Sequence, residues 1–470
     1  EEESTPVISS SKSNLISTPE NCRRWQVEVE ECAGERSPMQ IEGTVAITDD
    51  GWGLADAMVT LLEAKGLTTV RIGFEPGAKG LTEQNESGSM VYRLDPASSD
   101  QLAQLCSQLS GVSGIIHLAP LRLASEKWSN ESGSSNQITL AAHSYFGLLK
   151  GLDSQLSSSA GFVASVTALD GRHGNHGERF NSLACAASGI TKSYSFEQTN
   201  IRCRAYDLHQ ELILDAESTA ALLVDDLFTL GGEVEIGIDK DRRRWTLVCF
   251  AEELLDERKP LANTELWLVS GGGSGVTASS IIALSEASPN VGAIFLLLGR
   301  STLLAETKDW LDYDDDRLES EKMALRERMT EASESGKITM VEWNKEWQNY
   351  TRSLDIRRTI QAIESSGNRA EYHSADVMDV ESIKSAIDGR SVTGIVHGAG
   401  LEDSKLVADK SWDIFDRVVR VKVDGWRALI SAAGDHVRFA CAFTSVAGRF
   451  GNGGQTDYAA ANSVLDAEMS

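Results

Sequence analysis

The stretch "GGQTDYAAANSVLD", residues 453 to 466, sets a tyrosine four positions before an asparagine in a run of small, helix-compatible residues. Four residues make about one helical turn, so Tyr458 and Asn462 are expected on one face, where both can act on one substrate. A phenol has an ordinary pKa near ~10 and exchanges protons poorly at neutral pH unless a cation stands beside it. The chemistry implied is proton transfer by Tyr458. It requires a positive charge that Asn462 cannot supply.

A second pattern with chemical meaning lies upstream. "SGGGSGVT", residues 270–277, follows an apolar run and opens a helix-like one. Glycines in that setting let backbone N–H groups approach a pyrophosphate, and the helix N-terminus adds favourable partial charge. Gly271, Gly272, Gly273, Ser274, Gly275 and Val276 are therefore candidate nucleotide contacts. The next apolar run, "AIFLLLGRS", ends at Arg300 and Ser301. A bare ribose 2′-hydroxyl favours a carboxylate at such a strand end, whereas an arginine suits a 2′-phosphate. The expected cofactor is NADPH. In "YHSADVMD", Asp376 and Val377 follow the next strand and are positioned to flank an adenine.

An internal repeat supplies the elements that must carry these residues. "VSGIIHLAPL" at 112–121 matches "VTGIVHGAGL" at 392–401, each reading as a buried parallel strand ending in a turn. Upstream of them, "VAITDDGWGLADAMVTLLEAKG" and "LVSGGGSGVTASSIIALSEA" both read as strand, glycine-containing turn and amphipathic helix. Downstream, "FVASVTALDGRHGN" mirrors "CAFTSVAGRFGN". Three matched stretches in one order predict two tandem α/β units, each a doubly wound parallel sheet. The expected organisation is a polar linker over 1–20, a first unit over 21–258 and a second over 259–470. A charged, proline-containing connector, "AEELLDERKPLA", joins the units. A charged insertion occupies about 301–360, and within it "DRLESEKMALRERMTEASESG" predicts a solvated helix.

The first unit lacks the nucleotide features. Asp49 and Asp50 stand where the second unit has Gly271 and Gly272, so like-charge repulsion should exclude a pyrophosphate. The first unit is expected to be a structural partner.

Composition narrows the function classes. The 470 residues carry a formal net charge of −26, which argues against a nucleic-acid or anionic-membrane surface. Seven cysteines without a C-x-x-C pair, and eight histidines without ligand spacing, indicate neither a disulfide framework nor a zinc site. With no membrane-length apolar run and no signal peptide, a cytoplasmic location is the expectation.

With "SGGGSGVT", "LLLGRS", "HGAG", "FTSVAG" and "GQTDYAAAN" in this order, the second unit resembles the short-chain dehydrogenase/reductase superfamily. More closely, the chain resembles ketoreductase domains of type I polyketide synthases and polyunsaturated fatty acid synthases. Those domains pair a degenerate structural Rossmann-like subdomain with a catalytic one, so the resemblance covers nearly the whole chain. It implies that lysine and asparagine have exchanged places relative to most short-chain dehydrogenases. Lys422, in "RVVRVKVDGWRAL", is then the missing cation. Aligning "YFGLL" with "VDGWR" through Gly147 and Gly425 sets Ser144 opposite it in the first unit.

The resemblance also implies the roles. Ser445 and Tyr458 would hydrogen-bond a ketone oxygen, with Tyr458 delivering the proton. Lys422 would lower the phenol's pKa and hold the nicotinamide ribose, and Asn462 would orient Lys422 or a water. Gly398, Ala399 and Gly400 of "HGAG" join the cofactor contacts. The implied substrate is a β-ketoacyl thioester on an acyl carrier protein, within a multidomain synthase. Two rival readings stand beside this one: a stand-alone dehydrogenase of free small molecules, and a non-catalytic scaffold domain of a megasynthase.

The pattern departs from the family at three points. Thr277 replaces the last glycine of the loop, with an expected cost in cofactor affinity. Asp403 or Ser404, and Phe450, occupy the positions linked with product stereochemistry, and the lean is towards the D hydroxyl. The sequence stops at "LDAEMS", inside the helix expected to carry Tyr458. A full domain of this kind needs further strands and a lid, expected on a longer polypeptide or outside this sequence. The catalytic subdomain is thus expected to be truncated at its C-terminus.

Overall fold

In the computed structural model the described residues are 24–32, 37–86, 89–124, 134–159, 161–175, 177, 180–252, 265–334 and 336–469. The expected linker over 1–20 and most of the charged connector lie outside them.

The first unit runs β1 (Arg24–Glu31), β2 (Ser37–Pro38), β3 (Thr44–Thr48), α1 (Leu54–Ala64), β4 (Thr68–Phe74), β5 (Thr82–Glu86), β6 (Ser89–Leu94), α2 (Ser99–Gln108) and β7 (Val112–His117). It continues through α3 (Ser144–Ser157), β8 (Phe162–Thr167), α4 (Cys185–Glu197), β9 (Arg202–Leu208), α5 (Ala216–Leu227), β10 (Thr229–Leu230), β11 (Glu235–Ile238) and β12 (Arg244–Glu252). The second unit has β13 (Leu266–Ser270), α6 (Gly275–Glu286), β14 (Ile294–Gly299), α7 (Asp315–Ala332), α8 (Met340–Ser365), β15 (Arg369–Ser374), α9 (Val380–Ile387) and β16 (Gly394–His397). After it come α10 (Trp412–Ala433), β17 (Phe439–Ala442), α11 (Val446–Phe450) and α12 (Thr456–Met469).

The repeat survives as topology. The first sheet is ordered β1-β12-β11-β9-β8-β7-β3-β4-β6-β5 and the second β15-β14-β13-β16-β17. Read from β6 to β8 and from β15 to β17, the two orders are identical, and all those ladders are parallel. Such strands are covered by helices on both faces, which is why β7 and β8 read as unbroken apolar-rich runs and are buried throughout. The architecture is two tandem Rossmann-like sheets. In the first, β8 is followed outward by β9 and β11; in the second, β17 is the outermost described strand.

The insertion forms the expected charged helix as α7, in which Leu325 alone is fully buried. Helix α8 then starts within the insertion, at a Thr339–Glu342 capping box, and leads into β15. It therefore serves as insertion and as β14-to-β15 crossover at once.

One apolar core joins the units, drawing on Tyr145, Phe146, Ile190 and Tyr194 from the first and Phe415, Val419, Ala460 and Val464 from the second. Phe146 on α3 stacks on Phe415 of α10 with ring centroids 4.1 Å apart. Gly189 lets α4 approach α12 so closely that a Cβ there would lie 2.5 Å from the Ala459 carbonyl. The two helices that carry Lys422 and Tyr458 are thus seated on the unit whose turn carries Asp49 and Asp50.

Candidate active site

The glycine turn leaves β13 in a strained path that only its glycines allow. Gly271 has φ +72°, and a Cβ on it would meet the Gly398–Ala399 backbone at 2.7 Å. A Cβ on Gly272 would strike Val269 at 2.7 Å and one on Gly273 would strike Ile356 at 2.6 Å. Ser274 is the N-cap of α6, and its side chain makes no capping bond, so the first N–H groups of that helix remain available to an anion. Gly271, Gly273, Ser274, Gly299, Arg300 and Ser301 line one cleft of about 620 Å³. These features fit a dinucleotide.

Thr277 does not crowd this turn as expected. It is buried on the first turn of α6 against Gly398, where a Cβ would lie 1.9 Å from its Oγ1. Gly398, at the neighbouring strand end, leaves the space that Thr277 fills. Asp376 is exposed and accepts the Met378 N–H at 3.0 Å, while Val377 packs in the core under Gly425.

In the first unit the same position is occupied by the protein itself. The buried Asp50 carboxylate accepts the N–H groups of Trp52 (2.8 Å), Leu54 (3.1 Å) and Ala55 (2.8 Å) at the start of α1. Asp49 faces Arg122 at 3.6 Å. A carboxylate fills the anion position there.

Lys422 and Tyr458 meet. The Lys422 Nζ lies 5.6 Å from the Tyr458 ring centroid, although the two come from different helices. The ammonium donates to the Phe443 carbonyl at 2.6 Å, two residues before Ser445. It runs under Gly400, where a Cβ would be 3.0 Å from the Lys422 Cε. Asn462 donates to the Tyr458 carbonyl at 2.7 Å, one turn back, while its Oδ1 is buried without a hydrogen-bond partner. Ser445 caps α11, its Oγ accepting the Ala447 N–H at 3.2 Å.

Electrostatics separate the two groups' roles. Burial lowers the Lys422 ammonium to about 8, with Asp466 acting in the opposite direction. Burial raises the Tyr458 phenol above its ordinary value, Glu402 adds to the rise, and Asn462 counters it.

Several residues that position this site were not singled out in the sequence. His397 meets the Ser270 hydroxyl at 2.7 Å through Nδ1 and reaches the Lys422 carbonyl at 3.0 Å through Nε2. Burial pushes its pKa down to about 3, so the ring is neutral. Since a carbonyl only accepts, Nε2 carries the proton and Nδ1 accepts from the Ser270 hydroxyl. His117 repeats this, bridging Thr48 (3.2 Å) and the Ala141 carbonyl (3.3 Å). That pairing sets Ala141, not Ser144, in the place of Lys422. Ala141 itself lies within a π-helical turn, Thr139–His143, that precedes α3.

The chain between Ser445 and Tyr458 is held along α4 of the first unit. Lys192 donates to the Arg449 carbonyl at 3.1 Å, Ser193 accepts the Asn452 N–H at 3.1 Å, and Glu197 accepts the Gly454 N–H at 3.1 Å. Glu197 also takes the Val407 N–H at 2.7 Å. Glu235 binds Lys192 at 3.1 Å and pairs with Arg449. Beneath the tyrosine, Lys410 and Asp457 form an enclosed ion pair at 2.9 Å, and Asp457 accepts the Tyr458 N–H at 2.8 Å.

Among the described residues no three His, Cys, Asp or Glu side chains are grouped to hold a metal, and no helix is long and apolar enough to cross a membrane.

Fold and site together define a tandem Rossmann-like α/β protein with a cleft at its glycine turn that fits a dinucleotide and a lysine–tyrosine pair beside it. The KR-domain family model matches residues 333–470, from the insertion to the end of the tyrosine helix. A polyunsaturated fatty acid synthase polypeptide from a Thraustochytrium species is 28% identical over 293 residues, 60% of this chain and 10% of that protein. A phenolphthiocerol/phthiocerol polyketide synthase polypeptide from Mycobacterium tuberculosis is 37% identical over 133 residues, 26% of this chain and 7% of that protein. The chain spans a tenth or less of these relatives' length. An N-terminal ketoreductase from the macrolactin assembly line shares the fold, with TM-score 0.65 and 17% identity over 95% of this chain and 79% of that one. The second unit is thus similar to KR domains, and the relatives in sequence are polyketide and polyunsaturated fatty acid synthases.

Proposed function

We propose that the chain is the ketoreductase portion of a polyketide or polyunsaturated fatty acid synthase. It reduces a β-ketoacyl thioester carried on an acyl carrier protein to the β-hydroxyacyl thioester, with NADPH. The observation that carries this reading is the meeting of Lys422 and Tyr458 from separate helices, under the Gly398–Gly400 turn that borders the glycine cradle.

The backbone of Gly271–Val276 would hold the pyrophosphate, Arg300 and Ser301 the 2′-phosphate, and Lys422 with the Gly398–Gly400 turn the nicotinamide ribose. When bound, the nicotinamide supplies hydride to the carbonyl carbon. Negative charge then grows on the substrate oxygen, where Ser445 donates a hydrogen bond and Tyr458 delivers its proton. Burial and Glu402 raise the Tyr458 phenol instead of the lowering expected from Lys422, so the donor is protonated; the Lys422 ammonium, 5.6 Å from its ring centroid, would stabilise the phenolate left behind. The unpartnered Oδ1 of Asn462 suits an ordered water that returns the proton to Tyr458.

The test is NADPH oxidation with a β-ketoacyl thioester, wild type against Tyr458→Phe in the full polypeptide. Loss of the proton donor should slow turnover by about a hundredfold or more. Equal rates would reject the mechanism.

A further inference from the structure

Helix α8 does more than cross the sheet. Glu346, Asn349, Arg352 and Ile356, spaced along one face, line the nucleotide cleft together with the glycine turn and the end of β14. The helix is seated directly on that turn: Ile356 occupies the space beside Gly273, and Thr359 donates to the Gly273 carbonyl at 3.2 Å. Arg352 lies one turn before Ile356 and faces the same cleft as Arg300.

Both arginines are exposed, and neither side chain has an ion pair or hydrogen bond among the described residues. Arg357, the next arginine on α8, is by contrast engaged, donating to Thr307 at 2.9 Å and to the Leu304 carbonyl at 2.8 Å. The carboxylate in this wall, Glu346, accepts the Asn349 amide at 3.0 Å. In a chain of net charge −26, two unpaired guanidinium groups on one cleft call for an anion. Arginine matches a phosphate with a fork of parallel donors, and two forks on one dianion bind it far better than one exposed, salt-screened charge.

We infer that Arg352, supplied by the insertion, joins Arg300 on the 2′-phosphate of NADPH, so that the insertion sets the preference for the phosphorylated dinucleotide. The inference rests on the nucleotide-site reading above and extends it to a residue outside the glycine turn and the strand end.

Fluorescence titration of the full chain with NADPH and with NADH tests it, using wild type, Arg352→Gln and Arg352→Lys. Arg352→Gln should weaken NADPH about tenfold or more while leaving NADH unchanged, and Arg352→Lys should recover part of the loss. An unchanged melting midpoint is expected, because Arg352 is exposed and unpartnered. Unchanged NADPH affinity, or equal weakening of both cofactors, overturns the role of Arg352 while leaving the cleft intact. If wild type binds neither cofactor, or both alike, the nucleotide reading itself falls, and Arg352 with it.

Discussion

Lys410 and Asp457 offer the sharpest test of how the tyrosine helix is held. Their side chains are 0% and 1% exposed, and Nζ lies 2.9 Å from Oδ2. Lys410→Met keeps most of the bulk of the stem but removes the cation, leaving a buried carboxylate with backbone N–H donors alone. Breaking a buried pair in this way costs about 3–5 kcal/mol. The cost should depend on pH. Burial already raises the Asp457 carboxyl above its ordinary value of 3.8, more than Lys410 beside it can offset. A carboxyl raised on folding binds its proton more tightly in the folded chain, so its stabilising contribution is present at low pH and lost as pH climbs above 3.8 through the folded value. Removing Lys410 raises it further, so the variant's deficit should be small near pH ~4 and largest near pH ~7. Because desolvation outweighs attraction in the native pair, Lys410→Met with Asp457→Leu should return to within about 1 kcal/mol of wild type. Urea denaturation of the single and double variants at both pH values measures all three quantities. A single-variant loss below about 1 kcal/mol, a loss independent of pH, or a double variant as damaged as the single would refute the argument.

Other outcomes follow from the same geometry. With the Lys422 ammonium lowered to about 8, kcat/KM for ketone reduction should fall as pH rises through that value, and a pH–rate profile of Lys422→Met should lack that limb. Asp50→Ala leaves three N–H groups at the start of α1 without their acceptor, so the denaturation midpoint should report a loss of about 2 kcal/mol, with NADPH affinity unaltered. Glu197→Ala releases the Gly454 and Val407 N–H groups and loosens the segment between Ser445 and Tyr458; kcat should drop about tenfold while the NADPH Kd measured by titration stays constant.

The tandem repeat and its strand order were legible because parallel strands buried on both faces leave unbroken apolar runs, and because matched stretches in one order imply matched topology. The glycine turn was legible because its conformation excludes other residues. Asp49 and Asp50 were legible as a substitution of charge for glycine, although not that Asp50 would bind its own helix N-terminus. The packing of Thr277 was not legible: Gly398, against which it sits, is remote in sequence and adjacent only after β13 and β16 pair. The alignment of Ser144 with Lys422 rests on matching Gly147 to Gly425, whereas the histidine contacts that set Ala141 there form only in the folded chain.

By itself the sequence determined which groups are present: the phenol, the ammonium, the flexible turn and the duplicated strands, each a property of residue type and short-range spacing. That Lys422 reaches Tyr458, that α4 of one unit holds the Ser445–Tyr458 segment of the other, and that Arg352 faces the cleft of Arg300 were decided by tertiary structure. Those contacts join elements far apart along the chain, and their distances follow from how helices seat on sheets and on one another, which local periodicity does not encode.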